Sequence, residues 1–256
     1  MRNLDLQPYR HASSFRKLAA AAWSAPREPN VYGSVGVRAQ PLLDWLAKRL
    51  VAENWSLKNL HRLMVTSATF RLAAHHPAAE KADPANTWFA RSNIHRLSAE
   101  QVRDGLLAVS GELDLKEGGE SVEADKSNRR SVYRKVLRNK PDEVMHAFDT
   151  PDHISHMPQR SVTTTAMQSL LMMNSDWIRK RAGALAKRLS KTHPKDIDAL
   201  IHDAHEITTS LTPTKEQISL GRIFLESTSG SVLPKPTLLT EYCHVLLNAN
   251  AFMYLD

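Results

Sequence analysis

The amino-acid sequence predicts an all-α protein, or one that is nearly so, built as a multi-helix globular domain with one or two short extended segments. Apolar residues recur at spacings of three and four over most of the chain, as one face of an amphipathic helix requires. Several of these runs begin with a helix-capping residue, and Pro or Gly separates many of them. The run 132–137 has the β-branched and aromatic content that favours a short strand.

Residues 1–40 differ from the rest of the chain. They contain six basic and two acidic residues, and the stretch 31–40 has no sustained helical period. We predict that residues 1–40 form an atypical, poorly ordered basic arm with one short helix at 14–23. The helical domain is predicted to span residues 41–256.

The first two predicted helices form a hairpin. The first run begins at Pro41 and places its leucines and Trp45 on one face. Asn54 and Trp55 interrupt the run, and Ser56 can then cap a second helix by accepting a hydrogen bond from a first-turn amide. A connection this short predicts that the two helices are antiparallel.

The remaining elements follow from the same kinds of signal. Residues 73–92 are polar and contain two prolines, so we predict a loop. Ser98 and Gln101 match a capping box that opens a helix ending near Gly111. An exposed loop is predicted at 114–128 and an extended segment at 132–137. Helices are predicted at 141–148 (one turn), 163–173, 177–189, 194–209, from Pro213 as a first helical residue, and at 236–248.

Composition limits the classes of function. The chain of 256 residues has a net charge of +7 and a pI near 9.6, which permits a polyanionic partner without requiring one. The single cysteine, Cys243, excludes an intramolecular disulfide and any site built from several cysteines, and its apolar neighbours predict a buried thiol. No apolar run approaches the ~18 residues of a membrane span, and no signal peptide is recognisable. The chain as encoded is therefore predicted to be cytoplasmic.

Two groups of histidines have the composition of metal ligands. They are Asp152, His153 and His156 in a predicted irregular segment, and His202, His205 and Glu206 in a predicted helix. Neither group matches a zinc motif, and neither supplies a third ligand of clear identity. We therefore assign no metal site and interpret both groups as ordinary surface or loop residues.

The basic segment 126–140 is the strongest charge feature. Its seven basic residues are interrupted by no acidic residue, and Tyr133 could stack on a base. The seven are Lys126, Arg129, Arg130, Arg134, Lys135, Arg138 and Lys140. Such a run is a candidate polyanion or nucleic-acid contact, because neutralised phosphates supply the affinity. The interpretation we favour is a solvated basic edge or a set of ion pairs, which makes nucleic acid the weaker hypothesis.

Motifs that carry chemistry are missing from the sequence. Arg160 precedes the hydroxyl-rich stretch 161–165 at a predicted helix entrance, where amides and hydroxyls can hold an anion, although capping explains the same residues. The chain contains no P-loop, no G-x-S-x-G, no G-x-G-x-x-G and no C-x-x-C-H. We predict no cofactor in this chain and favour a non-enzymatic role, with an enzyme domain kept as the alternative.

Several segments, taken in order, resemble a known family. They are LLDWLA at 42–47, NWSLKNLHRL at 54–63, VTSATFR at 65–71, RLSAEQVRD at 96–104, LAVSG at 107–111, RRSVY at 129–133, FD at 148–149, PD at 151–152, TTTAMQSL at 163–170, MNS at 173–175 and LLNANAF at 246–252. Together they resemble the C-terminal domain of planctomycete cytochrome-c-like proteins, the domain of unknown function 1553 family. The resemblance covers about residues 41–256.

The resemblance implies a context rather than a reaction, because the family is uncharacterised. Such proteins are typically large and exported, often carry covalent haem c in a separate domain, and end with this domain. The resemblance therefore implies a periplasmic or cell-surface location, with the N-terminal domains of a parent protein as partners. Residues 1–40 lack the segments that normally precede Leu42, so we expect a truncated fragment whose helix face at 42–50 those neighbours would cover.

Six polar residues on the matching motifs mark where a site would be expected. They are Arg103, Asp104, Arg160, Thr164, Gln168 and Asn174. Each also has a structural interpretation as an ion pair, a helix cap or a buried amide. We expect a structural or interaction module. The alternatives are an accessory domain of a hydrolase acting on a surface polymer, and polyanion binding through 126–140.

Overall fold

The computed structural model describes residues 35–123, 127–137, 143–151, 160–194, 196–226 and 236–255. The regular secondary structure in these ranges is almost entirely helical, which confirms the predicted fold class. The helices are α1 (Val35–Ala52), α2 (Leu57–Val65), α3 (Pro77–Ala82), α4 (Ala99–Ser110), α5 (Glu143–Ala147), α6 (Ala166–Asn174), α7 (Asp176–Thr192), α8 (Ile197–Thr209), α9 (Lys215–Glu226), α10 (Pro236–Asn248) and α11 (Asn250–Met253). One two-stranded sheet pairs β1 (His95–Arg96) with β2 (Tyr254–Leu255).

The chain divides into two compact units, and the division falls at residues 95–96. The helices before β1 belong to one unit and those after it to the other. The predicted helical domain over 41–256 stays a prediction.

The described part of the smaller unit contains the predicted hairpin. Ser56 caps α2 by accepting a hydrogen bond from the Asn59 amide at 3.3 Å. Asn54 and Trp55 turn the chain in the left-handed region, with φ of 53° and 59°, and the Trp55 amide donates to the Leu50 carbonyl at 2.9 Å. The signals that predicted the turn and the cap are therefore confirmed.

Two boundaries in the smaller unit correct the sequence-based prediction. Helix α1 begins at Val35, so its first turns lie inside the predicted arm. Pro41, the predicted helix start, stands in the helix interior, where it cannot donate one backbone hydrogen bond. The rest of the arm, 1–34, lies outside the described residues. The predicted loop 73–92 contains α3, because Pro77 sits at a first helical position and the His76 ring accepts from the Ala79 amide at 3.1 Å.

The larger unit is built around α7. This helix packs against α4, α6, α8 and α10, and the core lies between them. Its fully buried side chains are mostly aliphatic, and each contributes about 1.5–3 kcal/mol through removal from water. They include Val102, Leu106, Leu107, Ile178, Leu185, Leu189, Ile201, Leu225, Leu239 and Leu247.

Local signals in the larger unit are largely confirmed. Ser98 and Gln101 form the predicted capping box of α4, and Gly111 ends that helix with φ of 77°. The extended segment 132–137 instead opens with a 3-10 turn at Ser131–Tyr133, and Arg134 then bridges to Val122. Pro213 is not the first residue of α9; the helix begins at Lys215, and Thr214 forms reciprocal hydrogen bonds with Gln217. No helix among the described residues is both long and apolar enough to cross a membrane.

Candidate functional site

Arg103 and Asp104 lie in one buried polar cluster at the side of α4. The Asp104 carboxylate accepts from the Ser131 amide at 2.8 Å and from the Ser131 hydroxyl at 2.6 Å. The Arg103 guanidinium donates to the carbonyls of Arg129 at 2.9 Å and Ser127 at 2.8 Å. Both side chains are at most 5% exposed. The pair therefore fixes the backbone of 127–131 onto α4 and does not face solvent.

Arg129, one of the candidate polyanion contacts, is used inside the protein. Its guanidinium donates to the carbonyls of Glu120 at 3.1 Å, Lys116 at 3.0 Å and Gly118, and lies 4.1 Å from the Tyr133 ring centroid. The Tyr133 hydroxyl accepts from the Gly118 amide at 3.0 Å. Arg129 and Tyr133 therefore hold the loop 116–120, and these contacts occupy the side chains that the polyanion hypothesis needs free.

The other basic residues of this segment are less buried. Arg130 and Arg134 are half-buried, and Lys135 is exposed. Lys126, Arg138 and Lys140 lie outside the described residues. Within the part that the structure describes, 127–137 is thus a folded loop with one exposed lysine, and not a continuous basic face.

A second polar cluster surrounds Asp149, just after α5. Its Oδ2 atom accepts from the Arg96 guanidinium at 2.7 Å and from the Thr163 amide at 2.8 Å, and its Oδ1 atom accepts from the Thr163 hydroxyl at 2.7 Å. The Arg96 and Asp149 side chains are 5% and 16% exposed. Asp149 adopts a left-handed φ of 62°, and its carboxylate contacts Arg96 of β1 and Thr163.

Gln168 joins this cluster to the start of α6. Its Oε1 atom accepts from Arg96 at 2.6 Å and from the Thr165 amide at 3.2 Å, and its Nε2 atom donates to the Ala147 carbonyl at 2.9 Å. The Thr165 hydroxyl accepts in return from the Gln168 amide, completing a capping box. Gln168 is therefore a satisfied buried amide that locks the first turn of α6 to α5 and β1.

Two carboxylates of this region have pKa values below their ordinary values. Burial opposes ionisation of Asp149, but the hydrogen bonds from Thr163 and the charge of Arg96 outweigh it and lower the pKa. Burial likewise opposes ionisation of Glu100, but Arg160, which donates to it at 2.8 Å, lowers the pKa of Glu100. Both carboxylates are therefore charged at neutral pH and matched to a guanidinium.

The remaining predicted residues lie at the exposed edge of the second cluster or beyond it. The Thr164 hydroxyl lies 3.2 Å from the Tyr254 hydroxyl of β2, and Thr164 itself is exposed. Asn174, the last residue of α6, is exposed. The structure therefore places Arg103 and Asp104 in the first cluster and Gln168 in the second. Arg160 and Thr164 lie beside the second cluster, where they contact Glu100 of α4 and Tyr254 of β2.

Sequence reasoning missed the residues that organise the second cluster, namely Arg96, Glu100, Asp149, Thr163 and Tyr254. Arg96 and Asp149 occur in the motifs that carried the family resemblance, but their spacing of 53 residues gives no sign that they pair. The one local signal was an aspartate after a short helical run, a position that tolerates a left-handed backbone.

His205, a member of the second predicted histidine group, has a structural contact. His205 is buried on α8, and its Nε2 atom lies 3.2 Å from the Tyr242 hydroxyl. Burial, followed by repulsion from His202, lowers the pKa of His205, and burial raises the pKa of Tyr242 to about 12. His153 and His156 lie outside the described residues. His205 thus serves as a neutral core residue between α8 and α10.

The residues of both clusters hold neighbouring segments of the chain together. Each buried charge faces an opposite charge or backbone groups, and the described contacts use its strongest donors and acceptors. A catalytic carboxylate needs a raised pKa or a free reacting atom. Asp149 has neither, since its pKa is lowered and both oxygens accept hydrogen bonds.

Comparison with known proteins gives one match. The model of a family described as a protein of unknown function (DUF1553) matches residues 31–225. No curated protein and no solved structure matches the chain.

Proposed function

The chain belongs to the DUF1553 family of proteins of unknown function, and we propose that it serves there as a structural and interaction module that docks onto another protein domain. The observation that carries the proposal is the surface of the α1–α2 hairpin. Three large apolar residues stand exposed at or near its turn, and two more lie further along α1. They are Val51, Trp55 and Leu57, and Leu42 and Trp45.

The exposure on this hairpin is larger than isolated surface residues explain. Trp45 is 49% exposed and Trp55 is 70% exposed, and tryptophan is enriched at protein interfaces because it buries a large area. Leu42 and Trp45, one helical turn apart, lie on the same side of α1. An apolar surface of this kind favours a partner, since the hydrophobic effect rewards its removal from water.

Charge indicates the chemistry of the partner. Residues 41–71 carry five basic and two acidic side chains, so the hairpin is positively charged at neutral pH. A second copy of the hairpin would be repelled by this surface, whereas an apolar patch rimmed by carboxylates would be attracted. We therefore propose an acidic partner domain. The segments that precede this region in longer family members, at the cell surface or in the periplasm, are the proposed source.

The two polar clusters support a scaffolding role for the larger unit. They tie the segment 127–131 to α4, the loop 116–120 to Arg129, and Thr163 to Asp149, through charges that would be costly to leave unpaired. A module that presents surfaces to a partner needs such rigidity, because a pre-ordered surface loses less entropy on binding.

The test measures binding between this chain and a purified upstream segment from a longer DUF1553-family protein. We expect the double variant Leu42→Ser, Trp45→Ser to bind at least tenfold more weakly, a loss of about 1.4 kcal/mol or more. Ile94→Ser is the matched control, because Ile94 is 64% exposed in the same unit but lies outside the hairpin. Isothermal titration calorimetry gives the affinities, and circular dichroism checks folding.

Two results would overturn the proposal. One is equal affinity of the double variant and the wild type, which would remove the hairpin from the interface. The other is no heat of binding with acidic upstream segments from several family members.

A further inference from the structure

Helix α7 carries the largest net charge of the helices that the structure describes. Its 17 residues, DWIRKRAGALAKRLSKT, contain six basic residues and one acidic residue. The resulting net charge of +5 compares with +7 for the whole chain. The basic residues are three arginines and three lysines, and the two groups differ in what they contact.

The three arginines fasten α7 to its neighbours. Arg181 pairs with Glu112, just beyond the end of α4, at 2.9 Å. Arg179 pairs with Glu241 of α10 at 3.4 Å. Arg188 donates to a carbonyl oxygen in the last turn of α4 at 3.1 Å. The carboxylates on both sides of α7 are thus matched to arginines.

The three lysines, Lys180, Lys187 and Lys191, form a row along the outer side of α7, which we call the lysine row. They lie within about 40° of one another around the helix axis, because successive residues turn by about 100°. All three are exposed, and the ion pairs of the described residues do not include them. At a rise of 1.5 Å per residue, the row is about 16 Å long.

The lysine row is unfavourable for the helix by itself. Lys187 and Lys191 are four positions apart, and like charges at this spacing destabilise a helix. Asp176, the one acidic residue of α7, is its first residue, where a negative charge complements the helix dipole. An anionic partner would therefore relieve a repulsion that α7 does not relieve internally.

We propose that the lysine row binds the phosphate backbone of duplex DNA without regard to base sequence. Duplex DNA carries one negative charge per about 1.7 Å of its axis, so the row spans about five base pairs and each lysine can neutralise a phosphate. Lysine is a flexible point charge with three donors, and phosphate contacts carry no sequence information. The row is distinct from the segment 126–140, whose Arg129 is used internally.

The surroundings of the lysine row disfavour two other anionic partners. A helix that binds a membrane surface inserts an apolar face, but the apolar face of α7, which includes Ile178, Leu185 and Leu189, is buried in the core. Proteins that bind single strands stack the bases on aromatic side chains. The one aromatic residue of α7, Trp177, is half-buried, with its ring centroid 5.0 Å from the Arg181 guanidinium. The row therefore offers charge alone, which suits a partner of high charge density.

The first experiment measures the affinity of the whole chain for a labelled DNA duplex of about 20 base pairs, by fluorescence anisotropy at about 25 to 150 mM salt. Three phosphate contacts predict a slope of about −2.7 for the logarithm of the association constant against that of the salt concentration. Binding should then weaken about 20-fold between 50 and 150 mM salt, equally for duplexes of different sequence. No binding at the lowest salt, or affinity that does not change with salt, would overturn the proposal.

The second experiment compares two double variants of equal net charge. Lys180→Gln, Lys187→Gln should bind at least tenfold more weakly at 50 mM salt, with a slope less steep by about two. Lys81→Gln, Lys215→Gln is the matched control, because both lysines are exposed and lie outside α7. Glutamine preserves helix propensity, so circular dichroism should be unchanged, and Lys180→Arg, Lys187→Arg should bind like the wild type. Equal losses in the two glutamine variants would reduce the binding to net charge and refute a role for the row.

Competition separates duplex DNA from other polyanions. Unlabelled duplex should displace the labelled duplex at a lower total charge than single-stranded DNA, heparin, or vesicles of phosphatidylserine and phosphatidylcholine in equal parts. Any competitor that acts at a lower charge than the duplex would contradict the assignment to DNA. The hairpin variants keep all three lysines, so failure here and failure of the proposed function are separate results.

Discussion

Replacing Asp149 by asparagine isolates the contribution of its charge to stability. Asparagine has nearly the same shape and tolerates the left-handed backbone that Asp149 adopts, with φ of 62°, so the substitution adds little strain. It removes the negative charge that faces Arg96 and replaces one accepting oxygen by a donor. Either Arg96 or Thr163 then meets an N–H group in place of an acceptor.

The expected loss follows from the burial of the pair. Breaking a buried ion pair by removing one partner costs about 3–5 kcal/mol. Asp149 retains 16% exposure, Arg96 keeps its hydrogen bond to Gln168, and the asparagine oxygen can still accept. We therefore expect Asp149→Asn to lower the free energy of unfolding by about 2–3 kcal/mol at pH 7.

Urea denaturation followed by circular dichroism measures this difference, with Asp198→Asn as the control. Asp198 pairs with Arg222 at the surface, where its side chain is 45% exposed, so its loss should cost about 0–1 kcal/mol. A cost for Asp149→Asn no larger than for Asp198→Asn would refute the claim that the Asp149 cluster stabilises the fold.

The pH dependence of the same difference supplies a second check. The folded-state pKa of Asp149 lies below its ordinary value of 3.8. Its contribution is therefore fully present above the unfolded-state pKa and is lost as pH falls through the folded-state pKa. The gap between wild type and Asp149→Asn should stay constant from pH 7 to about 5 and shrink below about 4. A gap that widens on acidification would contradict this assignment.

Three further predictions concern the larger unit. Arg129→Met should free the loop 116–120, so limited proteolysis should cleave this loop sooner than in the wild type. The affinity for heparin should fall no more than it does in Arg179→Met, the control at an exposed arginine. A selective loss of heparin binding in Arg129→Met would restore the polyanion hypothesis for Arg129. Gly221→Ala should lower the free energy of unfolding, measured by urea denaturation, by about 1–3 kcal/mol. The added Cβ would lie 2.9 Å from the Tyr242 hydroxyl and 3.1 Å from Ile201. An unchanged free energy of unfolding would contradict the close packing of Gly221 against these two side chains. Burial raises the pKa of Cys243 to about 12. The thiol should therefore react with a disulfide reagent at pH 8 only as fast as the protein opens, and urea should accelerate the reaction sharply. A fast reaction without urea would place the thiol at the surface.

The predicted fold was recoverable because its signals are local. Apolar spacing, the Ser56 cap, the Ser98–Gln101 capping box and the Gly111 end of α4 each act within a few residues, and each is seen in the structure. The errors fell where a local signal was outweighed. Pro41 suggested a helix start, yet α1 continues through it, and the strand-like residues after Ser131 turn because Asp104 binds the Ser131 amide and hydroxyl.

The polar sites were recoverable only in part. Gln168 is a buried amide, as its structural interpretation from the sequence expects, and it also fills the N3 position of a capping box that the sequence-based prediction did not identify. Its partner Arg96 is 72 residues away, and Asp149 is 53 residues from Arg96. The sequence also presented Arg129 as one of seven similar basic residues, whereas burial against Tyr133 and three carbonyls sets it apart.

The sequence by itself therefore determined the helical class, most helix ends and the family, because these depend on neighbours along the chain. Only the tertiary structure decided which charges are internal and which apolar faces remain outside. Arg96 meets Asp149, and Met167, Leu170 and Met173 stay exposed, because burial depends on which helices pack against one another. Spacing along one chain fixes a helix face, but it does not state what covers that face.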